Sequence, residues 1–288
     1  MDDAFSIDKG RVRRSFERAA STCDAAAALQ REVGARALSR LELVRLSPAV
    51  VVDAGCGTGF ATPALRARYP RALVVGIDIA AGMLRVARTR IPAWRRWTRS
   101  IRQGFVCADN GRLPLATGTV DMLWSNLAFQ WSDDLGAVFS ESLRVLRPGG
   151  LLTFTTLGPD TLKELRAACA GDGRVHVHRF TDMHDVGDLM VHAGFADPVM
   201  DMEYLTLTYP DARSLMHELK ACGARNAASG RSRGLTGRKA LQAIESGYEA
   251  FRQQGRLPAT FEIIYGHAWK PLPRIGPGGR PVIDIKPR

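Results

Sequence analysis

Val50-Val51-Val52-Asp53-Ala54-Gly55-Cys56-Gly57-Thr58-Gly59 is the stretch that decides the fold. An apolar β-branched run enters a loop with glycine at every second position, and a helix-periodic pattern follows at Ala61, Ala64, Leu65 and Ala67. Strand, glycine loop and helix in this order build a nucleotide-type pocket at the C-terminal edge of a parallel sheet. Glycine allows positive φ and a close backbone approach to a ligand. The helix that follows offers unpaired N–H groups to a polar ligand. A second apolar run, Leu73-Val74-Val75-Gly76-Ile77, ends in Asp78. A carboxylate at the tip of the second strand is placed to accept both hydroxyls of a ribose. Asp53 stands where a dinucleotide fingerprint carries glycine, and Phe60 and Ala61 stand at its third glycine position. No Gly-Lys-Ser/Thr follows, which excludes a phosphate-gripping P-loop.

Asp-Ala-Gly-Cys-Gly-Thr-Gly over 53–59, followed by Gly-Ile-Asp-Ile over 76–79, resembles motifs I and II of the class I S-adenosylmethionine (SAM)-dependent methyltransferases. The resemblance implies a Rossmann-like α/β fold with a mostly parallel sheet of seven strands. It also implies that the loop passes under the methionine part of SAM while Asp78 holds the ribose. Phe105–Asp109 reads as a third strand, and the family places a carboxylate at its end beside the adenine amino group, here at Asp109-Asn110. The cofactor-binding residues implied are Asp53, Gly55, Cys56, Gly57, Thr58, Gly59, Asp78, Ile79, Met83, Asp109, Asn110 and Asn126.

Hydrophobic content of 45% with 24% charged residues is that of a globular chain with a substantial core. No apolar run reaches the ~20 residues of a membrane span, and the N-terminus lacks the pattern of a signal peptide. The five cysteines are scattered without metal-ligand spacing and read as reduced thiols of a cytoplasmic protein. His176 and His178 would share one face of a strand, but nothing nearby completes a ligand set, so no metal is expected. The formal net charge is +11, carried mostly by arginine. Arginine-biased composition and an acidic partner both account for it.

Before the first strand, Val12, Phe16, Ala19 and Ala20 are spaced for one helix face and Leu29, Val33, Ala37 and Leu41 for another. These helices are either a cap on the sheet or a lid over the SAM site. Residues 91–104 hold four Arg and two Trp. Nucleic-acid contact, docking of an acidic protein and a solvated loop whose tryptophans pack on a neighbour all suit these residue types. Val120–Asn126 reads as a strand opening into Leu127-Ala128-Phe129-Gln130-Trp131. Helix periodicity from Leu135 to Leu146 stops at Arg147-Pro148-Gly149-Gly150, ahead of a buried strand over 151–157. Gly158–Thr161 caps a helix containing Leu162, Leu165 and Ala168, and a further helix closes at Ala193-Gly194. Strands are expected over 204–207 and 261–269, with helices over 214–224 and 239–251 between them. Three regions follow: helices over 1–46, a methyltransferase domain over 47–270 with an insertion near 208–256, and an unpacked basic tail over 271–288.

Val12-Arg-Arg-Ser-Phe-Glu-Arg-Ala-Ala20, Asp24 and Ala28-Leu-Gln-Arg-Glu-Val33 resemble the opening segment of the BioC family, the malonyl-acyl carrier protein O-methyltransferases of biotin synthesis. Ser125-Asn126-Leu127-Ala128-x-Gln130-Trp131 matches that family's pattern at the loop where methyl donor and acceptor meet, as do Leu219-Lys220, Gly223-Ala224 and Leu235-Thr236 in the insertion. A family tyrosine is replaced by Cys23, to which no role is carried over. The resemblance covers about residues 9–270. It implies a monomeric enzyme whose partner is a malonylated acyl carrier protein, with no nucleic acid, membrane or metal involved.

Methyl transfer from SAM is an in-line displacement on an already activated carbon, so the protein supplies position and exclusion of water. A carboxylate acceptor is anionic near neutral pH and needs no general base. No catalytic base is therefore assigned, and Asn126, Gln130 and Trp131 are expected to position the reactants. A cation should meet the malonyl carboxylate. Lys163, Arg166, Lys220 and Arg225 are the candidates, and Arg95, Arg96 and Arg99 are expected to steer the acidic carrier. Two other readings remain. Glu32-Val33-Gly34-x-Arg36, Asp160-Thr161-Leu162-x-Glu164-Leu165-Arg166 and Pro258-Ala259-Thr260 resemble a mitochondrial assembly-factor group of the same fold, which implies modification of a protein arginine. A methyltransferase for a small carboxylic acid is the third.

Overall fold

A computed structural model describes residues 5–91, 103–172, 174–231 and 237–273. Seven strands, β1 (Val50–Ala54), β2 (Leu73–Asp78), β3 (Gln103–Cys107), β4 (Val120–Asn126), β5 (Leu146–Leu157), β6 (Ala196–Tyr209) and β7 (Leu257–Trp269), form one sheet. Their order is β3-β2-β1-β4-β5-β7-β6. β7 runs antiparallel to both its neighbours, and every other pair is parallel. This is the mostly parallel, Rossmann-like sheet that the glycine loop predicts. The strand order reverses between β1 and β4, the switch point at which open α/β sheets bind ligands.

Three helices precede the sheet: α1 (Lys9–Ala19), α2 (Cys23–Ala26) and α3 (Ala28–Arg40). Along the sheet follow α4 (Thr62–Arg68), α5 (Ala81–Thr89), α6 (Leu135–Val145), α7 (Lys163–Ala168) and α8 (Met183–Ala193). The insertion between β6 and β7 carries α9 (Ala212–Ala221) and α10 (Arg238–Glu249). Successive strand residues feed opposite cores, as a period of two requires. Val51, Met122, Trp124 and Leu151 pack with Val33, Leu65 and Tyr248 on one face, and Val52, Leu123 and Leu152 with Phe139, Val186 and Met190 on the other. Burial on both faces is why β1 and the middle of β4 are nearly continuous apolar runs.

Several boundaries differ from the sequence expectation. Arg147–Gly150, read as a helix stop, and Leu146, read as the helix end, are already part of β5. Leu146 pairs with Val120, and Gly149 at φ +75° turns the chain so that its N–H donates to the Lys270 carbonyl at 2.8 Å. Leu162 is not helical; it holds a left-handed conformation (φ 56°), and α7 starts one residue later. β6 is far longer than 204–207 because it is an edge strand whose residues alternate between exposed and half-buried, leaving a weak hydrophobic signal. His176 and His178 lie in a loop rather than on a strand. Arg95, Arg96 and Arg99, the Leu235-Thr236 pair and residues 274–288 lie outside the described residues.

Candidate cofactor and acceptor cavity

The ends of β1, β2 and β4 and the turn after β3 open into one cavity of about 1060 Å³. Single ligand pockets run to about 1,000 Å³, so this one has room for two reactants side by side. After β1 the chain turns back on itself. The amides of Gly55 and Cys56 both donate to the Ile77 carbonyl, at 2.7 and 2.9 Å. The Gly57 amide then donates to Asp78 Oδ2 at 2.9 Å, and the Ala80 amide to Asp78 Oδ1 at 2.8 Å.

The three alternating glycines all have positive φ but serve different ends. A Cβ on Gly55 would stand 2.2 Å from Ala128 Cβ, and one on Gly59 3.0 Å from Ala87 Cβ, so these two permit packing. A Cβ on Gly57 would meet nothing within 4 Å; it would project into the cavity. Gly59 does not line the cavity, whereas the other expected cofactor residues do: Asp53, Gly55, Cys56, Gly57, Thr58, Asp78, Ile79, Met83, Asp109, Asn110 and Asn126.

Two acids on this wall are buried. Burial, partly offset by a hydrogen bond from Thr62 Oγ1 at 3.0 Å, pushes Asp53 up to about 7. Burial likewise pushes Asp78 up to about 6 against its two backbone amides. The Cys56 thiol is held well above its ordinary range by burial, so it is an inert, small side chain. At the turn after β3, Asp109 accepts from the Gly111 amide at 2.8 Å and from Lys9 Nζ at 2.8 Å. The neighbouring Asn110 Oδ1 is buried with no partner among the described residues.

The three N-terminal helices are pinned to this edge. Glu17 accepts from the Gly82 amide at 2.7 Å, Thr58 Oγ1 donates to Asp24 Oδ1 at 2.5 Å, and Asn126 Nδ2 donates to the Gln30 carbonyl at 2.9 Å. Asn126 Oδ1 also accepts from Thr155 Oγ1 at 2.8 Å, so both ends of its amide are engaged in clamping α3 to β4 and β5. Gln130 donates to the Leu127 carbonyl at 2.8 Å, and its buried Oε1 has no partner among the described residues. Trp131 stands edge-on to Phe16, with ring centroids 5.2 Å apart.

Of the four candidate cations, Lys220 and Arg225 line the cavity and Lys163 and Arg166 do not. Lys163 lies over the Tyr204 ring at 5.3 Å and 3.8 Å from Asp160, and Arg166 donates to the Thr161 carbonyl at 3.0 Å. Gln30, His178 and Phe180, none of them a cofactor or substrate candidate from the sequence, also form the wall. His178 carried a signal only as half of a His-x-His pair. Among the described residues no cluster could hold a metal ion, and no helix is long and apolar enough to cross a membrane.

The comparisons with known proteins agree with this geometry. A methyltransferase-domain family model matches residues 52–154. The chain is 56% identical, over 99% of its length and 97% of the relative's, to a malonyl-[acyl-carrier protein] O-methyltransferase of Methylovorus sp.. It is 54% identical to one of Gallionella capsiferriformans over 97% of each chain. Among solved structures, the YcgJ protein of a Bacillus species superposes with a TM-score of 0.57 at 16% identity, covering 82% of this chain and 98% of its own. The [4+2]-cyclase SpnF superposes at 0.52 with 21% identity, covering 82% and 81%. These likenesses show the fold alone, and the second shows that the fold by itself does not fix the reaction. Identity at this level over almost the whole chain does fix the family: the protein is a SAM-dependent methyltransferase and belongs to the BioC-like malonyl-[acyl-carrier protein] O-methyltransferases.

Proposed function

We propose that the chain methylates the free carboxylate of a malonyl thioester carried on acyl carrier protein, an ester-forming step that serves biotin synthesis in the cytoplasm. The observation that supports it most is identity above one half, across nearly all of both chains, with relatives named for that reaction. The cavity fits the reading. Its sheet side has the glycine loop, a buried acid and an unpartnered Asn110 carbonyl, which suit the methionine, ribose and adenine of SAM.

In this reading the Asp78 carboxylate uses its remaining lone pairs for the ribose hydroxyls. Asn110 Oδ1, buried on the cavity wall without a partner among the described residues, takes the adenine amino group, beside Asp109. Bound SAM supplies an activated methyl group. Asn126 acts indirectly, by holding α3 against the strand ends. The helices over 1–46 form a lid, pinned at Lys9, Glu17, Asp24 and Gln30, that excludes water from the transfer. Lys220 and Arg225 bring positive potential to the acceptor side, which draws in an anionic acyl group. The same two cations would repel a substrate arginine, which counts against the protein-arginine reading.

The test is methyl-ester formation on malonyl-carrier protein, malonyl-coenzyme A, free malonate and an arginine peptide with one preparation. Transfer is expected to the malonyl thioesters, fastest on the carrier. Transfer to the peptide, or to none of the malonyl compounds, would overturn the proposal.

A further inference from the structure

His178 lies in the loop between α7 and α8, on the wall of the cavity, with 5% of its surface exposed. Neither Nδ1 nor Nε2 has a hydrogen-bond partner among the described residues. Its ring is packed on two sides. The Trp131 centroid is 5.0 Å away at 62° and the Phe180 centroid 5.0 Å away at 59°. Burial, and after it the Arg166 charge, pushes the imidazole down to about 4, so it is neutral at working pH. A neutral imidazole offers one N–H donor and one acceptor nitrogen, and burying both unpaired in a finished protein is costly. An apolar ring would fill the same space without that cost.

The position of the ring is built from several directions. Trp131 belongs to the segment that follows β4, five residues after Asn126, and both residues line the cavity. Asn226 Nδ2 donates to the Val175 carbonyl at 2.5 Å and so ties the His178 loop to the segment that carries Arg225. The segments that carry His178 and Arg225 are therefore joined, and both residues line the cavity.

We infer that the ring N–H of His178 donates a hydrogen bond to the acceptor carboxylate, on the oxygen that is not methylated. The inference rests on the function proposed above. In the transfer an O–CH3 bond forms and an S–CH3 bond breaks, the electron pair of the latter staying on sulfur. No proton moves, so the imidazole acts as a donor and not as a base. A neutral donor suits the task. It fixes the plane of the carboxylate yet leaves the attacking oxygen its charge, opposite the sulfonium that already balances it.

The experiment compares wild type with His178→Phe, which keeps the ring packing, and His178→Gln, which restores an N–H donor. Steady-state kinetics are measured on malonyl-carrier protein, and calorimetry measures malonyl-pantetheine binding in the presence of S-adenosylhomocysteine. For His178→Phe, kcat/KM is expected to fall by about ten- to a hundred-fold, the range for losing a hydrogen bond to a charged group. Most of that loss should appear in KM, because the bond exists before and during transfer. Malonyl-pantetheine binding should weaken in parallel while SAM affinity stays as in wild type and the melting temperature holds or rises, since the unpaired ring nitrogens are gone. His178→Gln should recover a large part of the loss. If wild type works on malonyl-carrier protein and His178→Phe matches it within about twofold, or if His178→Gln is no better than Phe, the assignment of His178 is wrong and the proposed function stands. If wild type neither binds nor methylates a malonyl thioester, both are wrong.

Discussion

The Gly57 amide donates to Asp78 Oδ2 at 2.9 Å, so the glycine loop after β1 and the acid at the tip of β2 form one unit. Asp78 is held to about 6, chiefly by burial. Only its ionised form accepts freely from two ribose hydroxyls. Ligand binding therefore favours the ionised acid and releases a proton near pH 6. SAM affinity should be constant above about pH 7 and decline as pH falls through about 6, approaching tenfold per pH unit below it. Asp78→Asn should bind more weakly at pH 8 by about tenfold or more and lose this pH dependence. Calorimetry at pH 5, 6 and 8 checks both, and an unchanged profile in the variant would remove Asp78 from the ribose site.

The glycine loop predicts two different failures from the same substitution. Gly55→Ala puts a methyl 2.2 Å from Ala128 Cβ, so it should destabilise the fold whether or not SAM is present. Gly57→Ala meets no atom and has only the left-handed backbone against it, about 1–2 kcal/mol. It should fold with a modest loss in melting temperature yet bind SAM poorly, and Gly57→Val more poorly still. Thermal melts with and without SAM separate the two. A Gly57→Ala protein that SAM stabilises as much as wild type would show that the loop does not cradle the ligand.

The parts of this molecule that could be read from the sequence are those where local chemistry sets the structure. Val50–Gly59 needs a tight turn of positive φ after a buried strand, and only a few residue types meet that need. Asp78 could be placed because it ends a β-branched run. The acceptor side was less legible because its members come from distant segments held by tertiary contacts. Lys163 and Lys220 are equally plausible as residue types, but only the fold turns Lys220 to the cavity and Lys163 to Tyr204. Likewise Asn126 could be picked out as a residue to position the reactants, but only the fold joins both ends of its amide to Gln30 and Thr155. His178 stands out through what it fails to touch, which no sequence pattern records.

Asp53 provides a stability prediction with a definite sign. Burial raises it to about 7 in the fold, against about 4 in an unfolded chain. A raised acid contributes stability that is fully present below about pH 4 and lost as pH rises through about 7. Asp53→Asn keeps an oxygen for the Thr62 hydroxyl and carries no charge. Without SAM, the variant should gain on wild type between about pH 4 and about pH 7 and level off above that, by a total on the order of a few kcal/mol. Denaturant melts across that range measure the difference. A gap that does not widen with pH would mean that Asp53 is ionised throughout.

The cations on the acceptor side give the last prediction. Lys220 and Arg225 line the cavity, and neither has an acidic partner among the described residues. Arg11 is held below its ordinary range first by burial and then by the charges of Arg231 and Arg225, so positive charge is concentrated at this edge. Such a concentration raises the local density of an anionic substrate and acts at range, so its effect should weaken with salt. Replacing Lys220 and Arg225 together with Glu should raise KM for malonyl-carrier protein by about tenfold or more at low ionic strength and by less at high. The turnover number should change little and SAM binding not at all. Arg225→Lys should remain near wild type, because charge and not fork geometry is what is asked of it. Lys163→Glu, outside the cavity, is the control and should leave both constants alone. Equal effects from the double variant and the control would mean that the field of the whole chain, and not these two side chains, draws the substrate in.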